Sequence, residues 1–441
     1  MLVAVLIKLF RGDVEVPRVI VVGGGWAGCA SALSAAKAGA EVVLLERSDM
    51  LLGTGLVGGI FRNNGRFTAA EEAIAMGGGE LFELMDSLAR HRNIGFPGHE
   101  HASLYSVVKI EPEVRELLKN RGVKMLFRAR VIDVNVHEGK ITSVVLDDKT
   151  ETKGDCFVDS TGSAGVPANC VRYGNGCAMC ILRCHAFRPR ISITEKAGVK
   201  EFVGKRADGS LGAMSGSCEL IKDSLSAGIQ NELSKRGVVV IPLPKELVQR
   251  DKLNKKACVQ YAIKEFAENL VLLDTGPVKL MAPFFSLEDL RRVHGFGWAR
   301  YEDPIAGGIG NSIRFMAMAP RDNIMKVKGV DNMFCAGEKA GPQVGHTEAL
   351  CTGLLAGHNA VRNLLQMECL EMPQGTSIGD YIAFVKERTK TEEGIKHRYT
   401  FSGGLYFKRM KERSIYSTNI GEIRERIGRM GLIGIFSKKL M

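Results

Sequence analysis

The chain has 441 residues, of which 45% are hydrophobic and 25% charged, a balance that excludes a disordered or fibrous chain and is typical of a globular protein with two or three domains. The net charge of +11 and the isoelectric point near 9.1 fit either a solvated basic surface or an acidic partner, such as RNA, a polyanionic cofactor or an acidic redox protein. The apolar start of the chain lacks the basic region and cleavage site of a signal peptide, and no later run is long enough to span a bilayer. We therefore expect a cytoplasmic protein without a membrane anchor.

The first elements of the chain predict one β–α–β unit. After an N-terminal extension over residues 1–16, Arg18–Val22 (RVIVV) is an apolar, β-branched run typical of a buried parallel strand. A glycine-rich loop follows, and Cys29–Ala38 consists mainly of small residues that suit a tightly packed helix. Glu41–Glu46 (EVVLLE) is the second strand. This order is typical of the beginning of a doubly wound α/β domain.

The loop between the first strand and the helix carries the pattern G-x-G-x-x-G at Gly23, Gly25 and Gly28. Gly23 allows a tight turn, Gly25 lets the backbone approach a pyrophosphate, and Gly28 lets the helix pack on the strand. Glu46 ends the next strand at the spacing expected for a carboxylate that binds ribose hydroxyls, and its charge disfavours a 2′-phosphate. The pattern predicts a dinucleotide site rather than a glycine-rich turn without a ligand. Further contacts are predicted at Trp26, Ala27 and Arg47.

The following segment predicts a loop, two helices and a β-meander. Residues 51–68 are glycine-rich and predict the loop, and helical patterns follow at about 69–90 and 111–120. An alternating run at Lys124–Val136 and a return run at Ile141–Leu146 predict the meander. Cys156–Asp159 (CFVD) is a further buried-strand run, directly followed by Ser160-Thr161-Gly162. A last strand is predicted at Asn332–Ala336, before a helix of small residues at about 347–365.

These elements predict an α/β fold with a Rossmann-like, doubly wound domain in two pieces, residues 17–165 and 329–368. The intervening residues 166–328 have mixed character and are interpreted as an inserted α+β substrate domain. Residues 369–441 have largely helical patterns and are predicted as a C-terminal helical segment.

Two motifs favour FAD over NAD as the dinucleotide. The strand that ends in Asp159-Ser160-Thr161-Gly162 resembles the second FAD motif of the glutathione-reductase-like flavoproteins, and residues 329–338 resemble their closing motif, with Glu338 in place of the common Asp. In that superfamily the closing residue binds the ribityl chain, and the next helix points its positive N-terminus at the flavin. No second G-x-G-x-x-G has the flanking strand and helix, so no separate nicotinamide domain is expected. The resemblance implies contacts at Val131, Thr161, Gly162, Gly337, Glu338 and Thr347.

Residues 345–360 (GHTEALCTGLLAGHNA) look like the signature G-Y-x-E-A-A-x-x-G-L-x-A-G-I-N-A-A of the glucose-inhibited division protein A family. Residues 372–379 (MPQGTSIG) are similar to a Pro-x-x-Thr-x-x-Gly segment of its folate- and FAD-dependent tRNA uracil methyltransferase. The family also includes the tRNA wobble-uridine carboxymethylaminomethyl enzyme. The resemblance covers both FAD-binding pieces and implies FAD. It does not by itself imply tRNA, because the middle of this sequence departs from those enzymes and function depends on the inserted site.

Four of the eleven cysteines, Cys170, Cys177, Cys180 and Cys184, form a C-x6-C-x2-C-x3-C cluster. Four thiolates at these spacings match a [4Fe–4S] cluster, since ferredoxins also use x2 and x3 spacings. The same residues could hold a tetrahedral zinc ion, although structural zinc usually pairs two separated C-x2-C units. A redox-active dithiol at Cys177 and Cys180, or ordinary buried cysteines, are the remaining alternatives. We favour the iron–sulfur cluster.

The first functional hypothesis is an FAD-dependent oxidoreductase in which the [4Fe–4S] cluster exchanges electrons with the flavin and the flavin exchanges a hydride with a small organic molecule. A redox protein would be its partner. The alternative is an FAD- and folate-dependent RNA-modifying enzyme, which the basic charge and the family signature support, although RNA is not favoured at this point. A third hypothesis is a protein that keeps FAD only as a structural element. For the substrate side, candidates that could equally have a surface or packing role are His294, Trp298, Arg300 and Tyr301.

Overall fold

A computed structural model describes residues 17–162, 191–211, 213–214, 218–255, 261–281, 285–302, 313–314 and 316–441. The strands of these ranges are, in chain order, β1 (Arg18–Val22), β2 (Glu41–Leu45), β3 (Ile60–Phe61), β4 (Ala89–Phe96), β5 (His99–Tyr105), β6 (Lys124–Leu126), β7 (Val131–His137), β8 (Lys140–Leu146), β9 (Glu151–Lys153), β10 (Cys156–Asp159), β11 (Phe202–Val203), β12 (Ala213–Met214), β13 (Cys218–Leu220), β14 (Val238–Pro242), β15 (Asn269–Asp274), β16 (Val278–Leu280), β17 (Ile313–Arg314), β18 (Ala317–Met318) and β19 (Met333–Cys335).

The α-helices of the same ranges are, in chain order, α1 (Trp26–Ala38), α2 (Gly55–Gly58), α3 (Gly65–Ala75), α4 (Glu80–Ser87), α5 (Ile110–Asn120), α6 (Ile193–Lys196), α7 (Ala227–Arg236), α8 (Glu265–Glu268), α9 (Leu287–Arg291), α10 (His346–Leu364), α11 (Ser377–Arg388), α12 (Glu392–Lys396), α13 (Gly404–Glu412) and α14 (Ile420–Arg429). Short 3-10 helices lie at Lys222–Ser224, Lys245–Leu247, Arg250–Lys255, Gly337–Ala340 and Ile435–Ser437.

The central sheet has the strand order β19-β10-β1-β2-β6, and all its neighbouring strands are parallel. Val19, Ile20 and Val21 of β1 have no exposed surface, because the sheet is covered on both faces. Since the strands are parallel, their carboxyl ends lie along one edge of the sheet. The predicted doubly wound α/β fold is confirmed.

Helices α1 and α10 pack closely against each other beside this sheet. The hydroxyl of Ser31 donates to the carbonyl oxygen of Gly353 over 3.1 Å, and the hydroxyl of Ser34 donates to that of Leu354 over 2.8 Å. Small side chains allow this contact, and the hydroxyls satisfy the polar groups that it buries. The N-termini of both helices lie at the carboxyl edge of the sheet.

Three antiparallel sheets surround the central one, with the orders β7-β8-β9, β3-β5-β4 and β13-β16-β15-β14. The first is the predicted meander. The other two share an apolar cluster that includes Phe96 and Leu104 from the β4–β5 hairpin and Val271 and Leu273 from β15. The hairpin therefore packs directly on the sheet formed by the inserted segment. Two-stranded sheets join β11 to β18 and β12 to β17.

The structure divides the predicted strand at Lys124–Val136 into two strands of different sheets. Strand β6 pairs with β2 at the edge of the central sheet, whereas β7 belongs to the meander. Between them the chain turns at Arg128, which has a positive φ of 55°, and the amide of Ala129 donates to the carbonyl oxygen of Glu46 over 2.9 Å. The prediction of one continuous strand was wrong because the alternation of apolar and polar residues continues through both short strands, so the sequence pattern does not show where one ends and the next begins.

The predicted helix at about 69–90 is also divided. Helix α3 ends before Gly77, whose positive φ of 79° reverses the chain, and α4 follows at Glu80–Ser87. Residues 89 and 90 already belong to the β4–β5 hairpin, which the sequence did not predict. Residues 51–68 are not a simple loop either, since they contain α2, β3 and the start of α3.

The C-terminal helices confirm the predicted helical segment and are joined to α3 by buried charges. Glu72 on α3 accepts hydrogen bonds from the amide and hydroxyl of Ser377 and pairs with Arg426 over 2.8 Å. Asp380, which has no exposed surface, pairs with Arg409 and Arg413. The division of the chain at residues 165, 328 and 368 stays a prediction. Within the described ranges, no helix is long and apolar enough to cross a membrane.

Candidate cofactor site

A cavity of about 490 Å³ opens at the carboxyl edge of the central sheet. Segments that follow β1, β2, β10 and β19 form much of its wall, where ligands bind in open α/β sheets. The predicted cofactor residues that line it are Gly23, Gly25, Trp26, Ala27, Glu46, Arg47, Val131, Thr161, Gly162, Gly337 and Glu338. Gly28 and Thr347 do not line it. The structure thus brings together residues that are far apart in the chain.

The three motif glycines have different surroundings. Gly23 has a φ of +100°, and an added Cβ would lie 2.6 Å from the carbonyl oxygen of Ser160. A Cβ on Gly28 would lie only 1.8 Å from the carbonyl oxygen of Gly23, so Gly28 lets the helix approach the loop. A Cβ on Gly25 would meet no atom within 4 Å. Because Gly25 also lines the cavity, its missing side chain leaves room for a ligand.

Helix α1 begins at this open position without a side-chain cap. Its first intrahelical bond runs from the amide of Cys29 to the carbonyl oxygen of Gly25, over 2.9 Å. The preceding amides of the first turn have no intrahelical acceptor, and Gly25 has no side chain that could provide one. Unpaired amides and the positive end of the helix dipole favour a phosphate group.

Glu46 is held against the glycine loop by three hydrogen bonds. Its Oε2 accepts from the amide of Gly24 over 2.8 Å, and its Oε1 accepts from the amide and hydroxyl of Ser48 over 2.8 and 2.9 Å. A carboxylate has roughly four acceptor positions, so these bonds orient the group and leave Oε2 able to accept once more. This arrangement suits the binding of a ribose hydroxyl.

The turn after β10 is fixed by the buried carboxylate of Asp159. One of its oxygens accepts from the hydroxyl of Thr161 over 2.6 Å, and the other accepts from the hydroxyl of Thr194 over 2.7 Å. The hydroxyl of Ser160 donates to the carbonyl oxygen of Gly23 over 2.8 Å. These bonds hold the second predicted motif against the glycine loop.

The segment after β19 carries the closing motif into the cavity. The amide of Gly337 donates to the hydroxyl of Thr352 over 2.9 Å, and the carbonyl oxygen of Gly337 accepts from Gln343 over 2.5 Å. Glu338 follows on the cavity wall. Thr347 is fully buried behind the wall, and its hydroxyl has no hydrogen-bond partner among the described residues.

An almost completely buried ion pair anchors the start of α10. Arg66 on α3 contacts Glu348 over 3.0 Å, with side-chain exposures of 4% and 1%. The hydroxyl of Thr400 and the amide of Phe401 also donate to Glu348, over 2.6 and 2.8 Å. Arg66 also lines the cavity. The charge of Arg66 is compensated by Glu348, so Arg66 serves mainly to position α10.

Lys279 on β16 brings a positive charge from the inserted segment to the cavity wall. Its Nζ donates to the carbonyl oxygen of Val57 over 2.5 Å. The neighbouring strand places Glu219 opposite Lys279. Burial raises the pKa of Glu219 to about 7 against the lowering effect of the Lys279 charge, and the charge of Glu302 makes a smaller upward contribution. Lys279 was not predicted from the sequence, although a single lysine within an apolar strand was a usable signal.

His346, the first residue of α10, lines the cavity and contacts Tyr105 at the end of β5, which does not line it. The Nδ1 atom of His346 lies 3.1 Å from the hydroxyl of Tyr105. Trp26 Nε1 donates to the same hydroxyl over 3.3 Å. Tyr105 was not predicted from the sequence because no local motif marks it.

Two further sets of residues were predicted from the sequence. The cluster of Cys170, Cys177, Cys180 and Cys184 falls in a part of the chain that is not described; within the described ranges, no group of three or more His, Cys, Asp or Glu residues could hold a metal ion. The suggested substrate residues do not reach the cavity. Tyr301 is buried and its hydroxyl donates to the carbonyl oxygen of Phe285, whereas Trp298 is 88% exposed. His294 and Arg300 are also exposed.

The parallel sheet, the glycine loop and the cavity at the sheet edge define a doubly wound fold of the flavoprotein class. Comparisons with known proteins narrow this class. The profile of the family described as glucose inhibited division protein A matches residues 18–274 and 286–368. The structure of Aquifex aeolicus GidA in its form II crystal matches with a TM-score of 0.67 at 16% identity, over 96% of this chain and 74% of that one. The form I crystal matches with a TM-score of 0.61 at 15% identity, over 94% and 78% of the two chains.

At these identities the solved structures show a shared fold, which is the fold of GidA. The profile match shows the family, because it covers most of the chain. This chain belongs to the glucose-inhibited division protein A family.

Proposed function

We propose that this protein is an FAD-dependent enzyme that modifies tRNA. The observation that carries the proposal is the family match, which extends over residues 18–274 and 286–368 and thus includes the glycine loop and the closing helix. The sequence-based interpretation ranked RNA below a small organic substrate. Family membership reverses that order, because the family resembled by residues 345–360 includes two tRNA-modifying enzymes.

The ADP half of FAD would be held by the loop Gly23–Gly28 and by Glu46. Three features support this assignment: the open position at Gly25, the uncapped N-terminus of α1 and the remaining acceptor capacity of Glu46. Arg47 also lines this part of the cavity and can neutralise phosphate charge. Val131 would contact the adenosine end.

The flavin end of FAD would be held by the turn at Thr161 and Gly162 and by Gly337 and Glu338. Thr347 was also predicted to contact the flavin, but it lies behind the cavity wall, so this contact stays a prediction. When bound, FAD can exchange either a hydride or single electrons. Lys279 and the N-terminus of α10 direct positive charge into the cavity, which favours an anionic reduced flavin.

The net charge of +11 supports an RNA substrate, since each phosphate contact with Lys or Arg releases a counterion. Affinity for tRNA should therefore fall steeply with salt. Fluorescence anisotropy of labelled tRNA at several salt concentrations measures this slope. Binding that does not depend on salt would contradict an electrostatic RNA interface.

The decisive experiment compares modified nucleosides in tRNA. Purified protein with bound FAD is incubated with unmodified tRNA and NADH as the reductant of the flavin, with and without 5,10-methylenetetrahydrofolate as the donor of the one-carbon group, and the digested RNA is analysed by mass spectrometry. We expect a new modified nucleoside with the wild type. It should be lost with Gly25→Ala, because the added methyl group takes up space that the cofactor needs beside the glycine loop. The control variant Gly428→Ala, on α14, should behave like the wild type. Identical nucleosides with and without protein would contradict the proposal.

A second candidate function is electron transfer between FAD and a [4Fe–4S] cluster. The spacing of Cys170, Cys177, Cys180 and Cys184 is the observation that favours it. Iron, sulfide and zinc analysis of anaerobically purified protein distinguishes an iron–sulfur cluster from a zinc site and from free thiols. If the cluster exists, Cys180→Ser should lose iron while keeping FAD. Unchanged iron content in this variant would contradict it.

A further inference from the structure

Trp298 is the most exposed large hydrophobic side chain of the described residues, with 88% of its surface open to solvent. It lies in a tight turn, in which the amide of Ala299 donates to the carbonyl oxygen of Phe296 over 2.8 Å. Phe296 and Ala299 are fully buried in an apolar cluster of the inserted segment. The turn thus has two buried anchors and one large aromatic ring in solvent. Because tryptophan is usually largely buried and is enriched at binding hot spots, such a ring indicates an interaction surface.

Two further hydrogen bonds hold the turn on both sides of Trp298. The Nε atom of Arg291, at the end of α9, donates to the carbonyl oxygen of Ala299 over 3.1 Å. The amide of Arg300 donates to the hydroxyl of Ser224 over 3.0 Å. The backbone that presents the ring is therefore fixed before any ligand arrives, which lowers the entropy that binding costs.

The chain after this turn runs along the edge of the sheet that reaches the cofactor cavity. Residues 300–302 pair with β13 through a bridge between Tyr301 and Leu220, and β13 pairs with β16. Tyr301 and Leu220 face the apolar cluster, so Arg300 lies on the opposite face, which also carries Lys279 into the cavity. Two strand spacings, about 10 Å, separate this edge from β16. One face of the inserted sheet therefore connects the exit of the turn with the cavity.

Positive charges accompany the ring. Among the described residues, neither Arg291 nor Arg300 has a carboxylate partner. Arg300 is the charged residue nearest to Trp298 in the sequence, and the exposed carboxylates of the same segment belong to Glu288 and Glu302. Arginine beside an exposed aromatic ring is suited to a nucleotide, because the guanidinium binds the phosphate while the base stacks on the ring.

The surroundings of the ring favour RNA over an apolar protein partner. Gly297 has no side chain, Ala299 is buried, and the exposed neighbours His294 and Arg300 are polar. The core of a protein interface needs a contiguous apolar patch, which these residues do not provide. A nucleobase needs a single aromatic face with cations for the adjoining phosphates.

We propose that Trp298 is a stacking platform for an unpaired base of the RNA substrate, with Arg300 and Arg291 as contacts for the neighbouring phosphates. This inference rests on the proposed function and narrows its substrate to RNA with a single-stranded loop. In a helical stem the faces of the bases are covered by their neighbours, whereas the bases of a loop can stack on a protein side chain. A strand held at Trp298 lies on the side of the inserted sheet that leads to the cavity.

The first test measures binding of fluorescein-labelled, unmodified tRNA to the FAD-loaded protein by anisotropy at several salt concentrations. Trp298→Leu keeps an apolar side chain without an aromatic face, so the Kd should rise roughly 5- to 150-fold while its salt dependence stays the same. Trp298→Phe should recover much of the affinity. Arg300→Gln should instead lower the slope of log K against log salt by about 1.

The matched control is Val240→Ala. Val240 is also an exposed apolar residue, but it lies on β14 at the opposite edge of the same sheet, so the Kd should not change. Equal losses of affinity in Val240→Ala and Trp298→Leu would contradict a specific platform.

The second test uses tryptophan fluorescence. The chain has two tryptophans, and Trp26 is buried, so a signal that differs between the wild type and Trp298→Leu comes from Trp298. Single-stranded oligoadenylate should quench the emission of the wild type and have little effect on Trp298→Leu. Heparin, which carries negative charge without bases, should not quench. Equal quenching by heparin, or equal quenching in the variant, would show that no base stacks on this ring.

The outcomes separate this proposal from the proposed function. If the wild type binds and modifies tRNA and Trp298→Leu binds it equally well, the platform is wrong and the function stands. If the wild type binds no tRNA, both fail. Light scattering of the wild type and Trp298→Leu tests a second copy of the chain as the occupant, and a lower molar mass of the variant would overturn the assignment to RNA.

Discussion

The Cβ that Gly357 lacks would lie 2.1 Å from the carbonyl oxygen of Ser31. One turn earlier on α10, a Cβ on Gly353 would lie 2.3 Å from the carbonyl oxygen of Ala27. Helices α1 and α10 therefore touch through their backbones at two successive turns. Because the N-termini of both helices lie at the cavity, this contact determines the spacing of the two positive helix ends that face a bound dinucleotide.

Gly357→Ala should destabilise the protein, because a methyl group cannot enter a backbone contact without moving one helix. Overpacking of this kind costs about 1–3 kcal/mol. Urea unfolding of the wild type and the variant measures the change in the free energy of unfolding. The matched control is Gly428→Ala on α14, where an added Cβ would meet only Ile433 at 3.9 Å, so stability should stay equal or rise by up to about 1 kcal/mol. Equal effects of the two substitutions would contradict the close contact.

Gly25→Ala should weaken FAD binding without weakening the fold. The new methyl group meets no protein atom within 4 Å but projects into the cavity. We expect at least a tenfold rise in the Kd of FAD, which corresponds to about 1.4 kcal/mol. Isothermal titration of flavin-free protein measures Kd, and urea unfolding of the same protein measures stability.

Gly28→Ala is the contrasting variant of the same loop. Its methyl group would lie 1.8 Å from the carbonyl oxygen of Gly23, so it should destabilise even the flavin-free protein. Loss of stability in both Gly25→Ala and Gly28→Ala, or an unchanged affinity for FAD in both, would contradict the separate roles of the two glycines.

The parts of the fold that could be predicted from the sequence have local signals. Strand β1 is a short apolar run beside a glycine loop, and α1 and β2 follow with their own patterns. The β4–β5 hairpin has no such signal. Residues 89–96 (ARHRNIGF) are half exposed, and three irregularities interrupt the register with β5, so the alternation that marks a strand is lost.

In the candidate site, too, the residues that could be predicted from the sequence are those with a local signal. Gly23, Gly28 and Glu46 were found because they belong to one spaced motif. Tyr105 and His346 are 241 residues apart, and only the fold brings them together. Lys279 reaches the cavity because β16 of the inserted segment packs beside it. Such contacts depend on tertiary structure and leave no periodic pattern in the chain.

His358→Ile should stabilise the protein at acidic pH. His358 has no exposed surface, and neither ring nitrogen has a hydrogen-bond partner in the described structure. Burial lowers its pKa from 6.5 to about 4, with the charges of Arg362 and Lys438 as smaller causes. Between pH 6.5 and 4, His358 therefore binds a proton in the unfolded chain but not in the folded protein. The free energy of unfolding falls as the pH falls through this window.

The variant has no such group, and the family signature has Ile at this position. The stability difference between variant and wild type should grow by up to about 3 kcal/mol from pH 7 to pH 4. Urea unfolding at a series of pH values measures it. His397→Gln, at a partly exposed ring, serves as the control and should parallel the wild type. A constant difference for His358→Ile would show that His358 does not titrate in this way.

Glu219→Gln should stabilise the protein at neutral and alkaline pH. Burial raises the pKa of Glu219 from 4.5 to about 7, so the folded protein holds a proton that the unfolded chain has already released. The sign is therefore opposite to that for His358: stability is fully present below pH 4.5 and is lost as the pH rises through about 7. A glutamine keeps the shape of the protonated acid and loses this dependence.

The gain of Glu219→Gln over the wild type should reach about 3 kcal/mol at most above pH 7 and vanish near pH 4. Unfolding free energies between pH 4 and 9 test this, with Glu232→Gln as the control, since that carboxylate is 44% exposed and pairs with Arg236 on the same helix. Because Glu219 lies opposite Lys279, its ionisation also adds a negative charge beside the cavity. Glu219→Gln should therefore also remove the contribution of Glu219 to the pH dependence of FAD affinity. If FAD affinity depends on pH in the same way in the variant and the wild type, this carboxylate acts on stability alone.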